Sequence, residues 1–580
     1  MTYKPIKELR ISGGSTILEY LKKFSATEKV VFGVLVIGAL VTAITMTANV
    51  NSYFKTEVPA NGGTLREGLV GLPHTVNPIL AVTDVDRDIA SLVYAGLTKL
   101  KNNKIEPDLA SRWEISSDGL TYIFYLKPDL IFQNGTPLTT ADVIFTINKV
   151  KDYALKSPRA ADWSGITAEA TSPTTIKFTL KQPNGSFLAN TTLGIIPQSI
   201  WGNVSNEQFI FSEYNVKPIG AGSYKVLSIK RDQGGIPTEY HLEAWSGNNE
   251  NEPHLTNIIF SFYPDLDHAL DALTSGSIDS LSSIPPGTAS DLATNKGEPY
   301  EVEATPLTRI FGVFFNQNKN PVLAEIAVRR ALDMSVNRDA IIGAVLNGYG
   351  VPIQNAFPIG FDIGTSTKAA PQDILAAKSL LVKSGWKVGA GGILERKVSK
   401  SSATTTLAFT LYTADTPDLK QTAELLRSQW QKLGANVTVK VLPPTELYQN
   451  IIRTREYDAL LFGQVVGKSS DLYAFWHSSQ RNSPGLNVSM YTNSKADKIL
   501  ENIKIATSTV DRITAYGQLN KVISDDKPAV FIYSPELVYV VPKKLQGFML
   551  GVANAPSDRF QFINNWYMET EKVWNFFVKK

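Results

Sequence analysis

An uninterrupted apolar segment near the N-terminus constrains this chain more than any other feature. Residues 30–48 read VVFGVLVIGALVTAITMTA and carry no charged side chain over 19 positions. At about 1.5 Å of rise per residue, a helix over these positions is about 28 Å long, close to the hydrocarbon thickness of a bilayer. The segment therefore predicts one transmembrane helix. The apolar side chains lie on every side of that helix, which disfavours the alternative of a core helix with one buried face.

The cations around this segment predict its orientation. Six precede it and two follow within the next twenty residues: Lys4, Lys7, Arg10, Lys22, Lys23 and Lys29 before it, Lys55 and Arg66 after it. The positive-inside rule places residues 1–29 in the cytoplasm, residues 30–48 as a single-pass anchor in the cell membrane, and the rest outside, in the periplasm or at the cell surface, after a linker over residues 49–61. A cleaved signal peptide is the alternative. Its best cleavage site, Val58-Pro59-Ala60, lies about a dozen residues too far from the apolar segment.

The composition indicates a globular outer part and excludes several kinds of site. With 580 residues, about three or four domains are expected, and 43% hydrophobic with 19% charged residues is not a disordered composition. A net charge of +3 without a long basic run argues against nucleic acid as a partner. The chain has no cysteine, and its five histidines lack the short spacing of a metal site. No metal and no cofactor are therefore predicted.

Hydrophobic periodicity predicts a mixed α/β outer part. Residues 175–180 alternate as a half-buried strand, residues 418–433 carry an apolar helical stripe that ends at Gly434, and residues 436–441 follow as a strand. A second helix is predicted after Asn337, a good N-cap. Residues 387–406 are rich in Gly, Ser, Thr and Lys and predict a surface hairpin or loop.

Two motifs make a family recognisable. Residues 106–126 read EPDLASRWEISSDGLTYIFYL and residues 132–150 read FQNGTPLTTADVIFTINKV, with tight turns at Asp118-Gly119 and Asn134-Gly135 and a helix predicted to be capped by Thr140. Together they resemble the signature region of the family 5 extracellular solute-binding proteins of ABC importers, which include oligopeptide-, dipeptide- and nickel-binding proteins. Further similar segments follow in the family's order, so that the resemblance covers about residues 62–577: residues 218–226, 316–352, 457–480 and 510–541.

The resemblance implies a periplasmic-binding-protein-like, two-lobed fold of type II with an extra inserted domain. Domain I would comprise residues 62–100, 184–305 and 541–580, the inserted domain II residues 101–183, and domain III residues 306–540. The chain crossings between domains I and III would act as a hinge, and a solute would be enclosed between the lobes. The implied partners are ABC permease subunits driven by cytoplasmic ATPases, and the implied protein is not an enzyme.

The resemblance also implies two segments that line the ligand cleft. Their residues, with two that follow the second segment, are Val82, Thr83, Asp84, Gly463, Gln464, Val465, Asp471 and Trp476. Each has a structural alternative. Thr83 and Asp84 are also suited to cap a helix over residues 85–97, Asp471 is suited to cap a helix beginning at Leu472, and Trp476 to pack in a core.

This sequence departs from the family at two ligand positions. Gln464 stands where many members have tryptophan, and Gly467 stands where oligopeptide and dipeptide binders have the aspartate that pairs with the ligand's α-ammonium. A buried ammonium without a carboxylate would cost on the order of several kcal/mol. Either Asp471 or Asp84 supplies that charge, or the ligand is not held by a free N-terminus.

Peptide capture for import is the function that these features favour. Within the same fold, the alternatives are a nickel chelate, an opine or an oligosaccharide as the solute. A surface receptor that senses peptides would suit the uncleaved anchor equally well. A hydrolase is disfavoured, because the sequence has neither a Gly-x-Ser-x-Gly nor a His-Glu-x-x-His motif.

Overall fold

A computed structural model describes most of the chain as two compact units. The first unit contains Met1–Ala60 and Glu569–Lys580, and the second contains Asn61–Met568. The described residues are 22, 24–102, 104–248, 252–295, 297–361, 363, 369–397, 404–467, 472–506 and 508–577.

The strands, in chain order, are β1 (Lys55–Ala60), β2 (Thr64–Val70), β3 (Thr98–Lys101), β4 (Lys104–Pro107), β5 (Ala110–Ile115), β6 (Thr121–Leu126), β7 (Ile166–Ser172), β8 (Thr175–Leu180), β9 (Tyr224–Arg231), β10 (Pro237–Ala244), β11 (Asn257–Tyr263), β12 (Ser280–Ser282), β13 (Tyr300–Pro306), β14 (Arg309–Phe315), β15 (Gly350–Pro352), β16 (Lys387–Val388), β17 (Leu394–Lys397), β18 (Thr404–Thr406), β19 (Ala408–Ala414), β20 (Asn436–Leu442), β21 (Ala459–Val465), β22 (Ala529–Pro542) and β23 (Glu569–Trp574).

The α-helices are α1 (Ala26–Tyr53), α2 (Asp84–Val93), α3 (Thr140–Lys151), α4 (Phe187–Asn190), α5 (Gln198–Trp201), α6 (Asn206–Phe209), α7 (Leu266–Thr274), α8 (Pro286–Thr294), α9 (Ile326–Met334), α10 (Arg338–Leu346), α11 (Ile374–Lys383), α12 (Pro417–Leu433), α13 (Pro444–Glu446), α14 (Leu472–Trp476), α15 (Ser494–Ile505) and α16 (Thr509–Asp526). A 3₁₀ segment, Pro556–Asn565, follows β22.

The first unit contains the predicted membrane segment. Within α1, the stretch Ala26–Met46 is long and apolar enough to cross a membrane, and no other helix of the described residues is. None of that stretch is buried, so it is not a core helix. Strand β1 follows α1 and pairs antiparallel with β23, with Lys55 opposite Trp574 and Ala60 opposite Glu569.

The second unit is built around a twelve-stranded mixed sheet, which confirms the α/β prediction. Its order is β20-β19-β21-β14-β22-β12-β2-β11-β10-β9, and β13 and β15 also pair with β22. Strand β2 runs parallel to β11 and β12, whereas β14 runs antiparallel to both β21 and β22. Helices such as α2 and α12 bury apolar side chains against this framework.

The long strand β22 passes from one part of the sheet to the other. Its first half, from Ala529 to Tyr533, pairs with β14, and its second half, from Glu536 to Pro542, pairs with β13. The largest apolar clusters divide at the same place: one contains Ile310 and Tyr533, and another contains Tyr539. The three-domain boundaries stay a prediction.

Local sequence signals located several elements correctly. Strand β8 matches its predicted range, α12 ends at Gly434 in the left-handed conformation (φ 106°), and β20 follows. Asn337 caps α10 by accepting the N–H of Ala340 at 2.9 Å. The predicted hairpin over residues 387–406 contains β16, β17 and β18, with residues 398–403 outside the described part.

Two local predictions were wrong. Thr139, not Thr140, caps α3: its side chain accepts the N–H of Ala141, and Asp142 accepts the N–H of Thr139 at 2.9 Å. Thr140 instead donates its hydroxyl to the carbonyl of Ser172. The helix predicted over residues 85–97 ends at Val93, whose carbonyl accepts the N–H of Gly222 at 2.8 Å rather than extending the helix.

Candidate functional site

The first predicted cleft segment forms the start of α2. Thr83 is the N-cap, and its hydroxyl oxygen accepts the N–H of Asp86 at 3.1 Å. Asp86 is buried and accepts the N–H groups of His74 and Thr75, both at 2.8 Å. These bonds hold the loop before α2 against the helix. The capping role of Thr83 is therefore confirmed, whereas its role in ligand binding stays a prediction.

Val82 and Asp84, on either side of this cap, reach solvent. Val82 is 61% exposed. The Asp84 side chain is 59% exposed and makes a long ion pair with Arg87, 3.5 Å between the oxygen and the guanidinium nitrogen. Exposed pairs of this kind contribute about 0–1 kcal/mol. Asp84 is therefore available to a ligand at little cost.

The second predicted segment ends β21. Gly463 lies opposite Phe311 on β14, and a Cβ at Gly463 would come within 2.7 Å of the Phe311 ring. Only glycine leaves room for this ring, which also stacks on Tyr533 with centroids 5.2 Å apart. The absence of a side chain at Gly463 on β21 thus leaves space for the two stacked rings on β14 and β22.

Gln464 has an unsatisfied acceptor. It is 5% exposed, and its Oε1 has no hydrogen-bond partner among the described residues. Buried amide oxygens are almost always paired, so this atom calls for a ligand or a water. The next residue, Val465, is 52% exposed at the end of the strand.

The remaining two predicted residues lie elsewhere. Trp476 is 1% exposed and belongs to the apolar cluster of Ile310, packing edge-to-face on Phe531 and Tyr491 with centroids 5.9 and 6.3 Å away. This position matches its core-packing interpretation, and a ligand contact by Trp476 stays a prediction. Asp471 lies outside the described residues.

A cavity of about 1170 Å³ lies beside the first segment. It is lined by Ala81 and Arg87, which lie on either side of residues 82–84, by Ala90 and Ser91 of α2, and by Tyr94, which follows that helix. Its charged lining residues among those described are the cations Arg87, Lys99, Lys101, Lys127 and Arg159 and the acids Glu106, Asp108 and Asp558. Pockets that hold small ligands usually measure about 300–1,000 Å³, so this cavity suits a solute at or above the upper end of that range.

Two hydrogen bonds connect this cavity to the second segment. Asn554 lines the cavity and accepts the hydroxyl of Thr308 at 2.8 Å. The Thr308 carbonyl accepts the N–H of Val466, the residue after β21, also at 2.8 Å. Residues 82–84 therefore lie between two residues of the cavity wall without lining it themselves, and residues 463–465 lie on the strand whose end is bonded to that wall.

Two acids of the cavity wall, Asp108 and Asp558, have different surroundings. Lys99 lies 3.6 Å from the carboxylate of Asp108. Burial raises the pKa of Asp108, and the nearby charges of Lys99 and Lys127 oppose that rise. Burial also raises the pKa of Asp558, against the N–H donors of Asn554 and Ala555. The cavity thus offers both signs of charge to a solute.

A fully buried ionic cluster supports the cavity from the protein side. Arg559 donates to both carboxylate oxygens of Asp88 on α2 (2.9 and 2.7 Å) and to Glu67 on β2 (2.9 and 2.6 Å). Tyr539 on β22 donates its hydroxyl to Glu67 at 2.8 Å. Burial raises the pKa of both carboxyl groups, and the charge of Arg559 opposes that rise. Because the neighbours Asp558 and Phe560 line the cavity, this cluster fixes its wall.

Sequence reasoning missed most of the cavity lining. One available signal was the motif at the start of the family signature, because Glu106, Pro107 and Asp108 all line the cavity. No such signal indicated that residues 554–565 also line the cavity, because they lie more than 400 residues along the chain from Glu106, Pro107 and Asp108.

Comparison with known proteins gives a consistent result. The sequence profile described as bacterial extracellular solute-binding proteins, family 5 Middle, matches residues 104–485. The oligopeptide-binding protein AppA of Bacillus subtilis is 28% identical over 507 residues, covering 84% of this chain and 89% of AppA. A dipeptide-binding protein of Pseudomonas aeruginosa is 25% identical, covering 84% of this chain and 94% of that protein.

Solved structures confirm the predicted two-lobed solute-binding fold. The ABC transporter substrate binding protein CtaP of Listeria monocytogenes is 27% identical, with a TM-score of 0.71 over 88% of this chain and 100% of CtaP. AppA of Bacillus subtilis in complex with a nonapeptide is 26% identical, with a TM-score of 0.62 over 88% of this chain and 100% of AppA.

Proposed function

Since this chain belongs to the family 5 bacterial extracellular solute-binding proteins, we propose that it captures peptides outside the cell and delivers them to an ABC permease. The observation that carries the proposal is the cavity beside α2, whose wall includes the Glu106–Asp108 motif and both signs of charge. A peptide is a zwitterion of the size that such a cavity admits. The relatives named for oligopeptides and dipeptides support the same solute class.

In this proposal Asp84 holds the ligand's ammonium group. Its carboxylate is exposed beside the cavity-lining Arg87, and the ion pair between them is long enough to be exchanged for a better one. Gln464 contributes its unpaired Oε1 as an acceptor for a ligand N–H. Val82, Thr83, Gly463 and Val465 then contact the ligand mainly through backbone and apolar surface. Such backbone recognition tolerates different peptide sequences.

The lobes are proposed to close about the two chain crossings. Between β13 and β14 only Leu307 and Thr308 intervene, and β22 crosses beside them. The N–H of Leu307 donates to the carbonyl of Pro535 at 2.9 Å, and the hydroxyl of Ser534 donates to the carbonyl of Leu307 at 2.5 Å. Hinge residues are commonly such short segments at the ends of regular elements.

We place the protein in the cell membrane through an uncleaved α1, with its N-terminus in the cytoplasm. The support is the apolar stretch Ala26–Met46 with an excess of cations before it. The intact mass of protein extracted from membranes tests this point, because cleavage would remove the first residues and lower the mass accordingly. The permease and its ATPases are the proposed partners.

Native mass spectrometry of the full chain, released gently from detergent micelles, tests the ligand. A heterogeneous set of added masses that resolves into peptides on denaturation is the expected result. A single sharp non-peptide mass would contradict peptide binding. The Asp84→Asn variant is expected to retain less peptide. It is also expected to bind N-acetylated peptides as well as peptides with a free N-terminus. Asp525→Asn is the matched control, since Asp525 is equally exposed (59%) and also forms an ion pair on a helix.

A non-peptide solute is the second candidate. The observation in its favour is Gly467, which stands where peptide binders carry an aspartate. If Asp84→Asn leaves peptide retention unchanged and the added mass is a single small molecule, a nickel chelate, an opine or an oligosaccharide becomes the better proposal.

A further inference from the structure

The outer end of the anchor is tied to the C-terminal end of the chain. Strand β1 pairs with β23 over six residues on each side. Beyond that ladder, the N–H of Asn575 donates to the carbonyl of Phe54 at 2.8 Å, and Thr56 donates its hydroxyl to the side-chain oxygen of Asn575 at 2.6 Å. The two ends of this unit therefore form one ribbon directly after α1.

Four aromatic side chains gather where the ribbon meets the helix. Phe54 stacks on Trp574 with centroids 6.5 Å apart and ring planes 13° apart, Tyr53 meets Phe54 edge-on at 5.6 Å, and Phe576 lies 5.8 Å from Trp574. We call Tyr53, Phe54, Trp574 and Phe576 the aromatic collar. Its members are 81%, 47%, 37% and 73% exposed, respectively. So much exposed aromatic surface in one place indicates an interaction site.

Helix geometry gives the depth of the collar. Lys29 is the last charged residue before the apolar segment. About twenty helical residues after it span about 30 Å, the hydrocarbon thickness, and end near Asn49. Tyr53 lies four residues farther, about 6 Å, and the headgroup layer adds about 5–7 Å on each side. The collar therefore falls within the headgroup layer of the outer leaflet.

We propose that the aromatic collar lies in this headgroup layer, which makes the C-terminal strand a second membrane contact of the protein. Tryptophan and tyrosine are enriched at this depth because their rings suit a half-apolar, half-wet environment. The occupant is lipid rather than a protein partner, because α1, which carries Tyr53, already lies among lipids. Lys55 lies opposite Trp574, at the level of the collar, where its long side chain can reach the lipid headgroups. The other charged residues of the ribbon come farther along it and stay in water: Glu57, Glu569, Glu571 and Lys572.

The consequence is a fixed exit from the membrane. A single helix followed by a flexible linker would let the outer part drift and tilt. A ribbon with aromatic rings at its base instead has two strands leaving the surface together, which restricts the height and orientation of the ribbon. The proposal rests on the uncleaved anchor, but not on the identity of the solute.

Site-specific labelling tests the depth of the collar. Because the sequence has no native cysteine, the label attaches to the introduced cysteine alone. The full-length Phe576→Cys variant is labelled with an environment-sensitive fluorophore and reconstituted into phosphatidylcholine–phosphatidylglycerol vesicles. Glu571→Cys is the control, because Glu571 is an exposed residue of the same ribbon that lies opposite Val58, farther along it than the collar. The expected result at position 576 is a blue-shifted emission that is quenched by lipids with a nitroxide near the headgroup. The control is expected to show neither effect.

An emission at position 576 that matches the control, quenched by aqueous iodide and not by nitroxide lipids, would overturn the proposal. Adding Phe54→Ser and Trp574→Ser to the labelled variant is expected to move its emission toward that of the control. No permease is present in these vesicles, so protection at position 576 is assigned to lipid. Cleavage of the anchor in cells, detected by intact mass, would contradict the proposal of an uncleaved anchor. It would not change the depth of the collar measured in vesicles.

Discussion

Removing the guanidinium of Arg559 is expected to destabilise the second unit more than any surface change of the same size. The wild-type side chain is fully buried and makes four hydrogen bonds to the carboxylates of Glu67 and Asp88, with a fifth to the carbonyl of Pro556. Arg559→Met keeps most of the volume but leaves two buried carboxyl groups without their cation. Breaking a buried pair in this way costs about 3–5 kcal/mol.

The pH dependence of this cost follows from the pKa shifts. Burial already raises the pKa of Glu67 and Asp88 above their ordinary values, and the charge of Arg559 limits the rise. Without Arg559 both pKa values rise further. The folded variant then binds more protons than its unfolded chain above about pH 4, so its free energy of unfolding falls as pH increases. The difference from wild type is therefore expected to be larger near pH 8 than near pH 5.

Urea unfolding of the full chain, followed by far-ultraviolet circular dichroism, measures this difference. Arg427→Met is the matched control, because Arg427 pairs with Glu424 on the surface of α12, where both side chains are over a third exposed. Such a pair is worth about 0–1 kcal/mol. If the Arg559→Met protein does not fold, Arg559→Lys, which keeps the charge but not the paired geometry, is measured instead. A cost below about 1 kcal/mol, or one that does not grow with pH, would refute this account of the buried cluster.

Three further changes have definite expected outcomes. Gly463→Ala is expected to lower the free energy of unfolding by about 1–3 kcal/mol, because the added methyl group would overpack against the Phe311 ring. Gly343→Ala in α10, where the space is open, is expected to raise it by about 0.5–1 kcal/mol, and equal melting temperatures for the two variants would contradict this reasoning. Thr83→Ala is expected to lower the urea midpoint by the equivalent of about 1 kcal/mol through loss of the α2 cap, and no change would mean that Asp86 alone holds the turn. Tyr539→Phe removes the hydroxyl that Glu67 accepts and is expected to cost about 1–3 kcal/mol by the same assay; a neutral result would show that water replaces it.

The sequence predicted best those elements whose signals are local. Strand β8 and helix α12 follow from a periodicity of two and 3.6 residues, and the positive φ at Gly434 marks the end of α12. The cap of α3 shows the limit of such signals. Thr139 and Thr140 have the same side chain, and only their bonds in the folded chain distinguish them: the N–H of Thr139 donates to Asp142, whereas the hydroxyl of Thr140 donates to the carbonyl of Ser172.

The candidate site was only partly predictable because its parts are distant in sequence. Residues 82–84 and 463–465 came from a resemblance to a family, and their contact with a ligand stays a prediction; of the first segment, only the flanking Ala81 and Arg87 line the cavity. Arg559 lies 492 residues from Glu67 and 471 from Asp88, and no local pattern pairs them. From the sequence alone, a charged residue that is buried cannot be distinguished from one at the surface until its partners are known.

The buried cluster also bears on how the protein closes. Arg559 joins α2, β2 and β22 to residues 556–565, so the cavity wall and the second half of β22 form one packed body. Packed cores change between discrete arrangements rather than deforming continuously, so this body moves as a unit. In the proposed closure of the lobes, the change in backbone angles would then fall on the two crossings, at Leu307 and Ser534. We infer that Ser534→Ala, which removes the bond to the Leu307 carbonyl and leaves the cavity lining intact, alters the rate of closure on peptide, measured by stopped-flow tryptophan fluorescence. Arg559→Lys is expected to alter the affinity for peptide instead. The opposite pattern would place the hinge within the cavity wall.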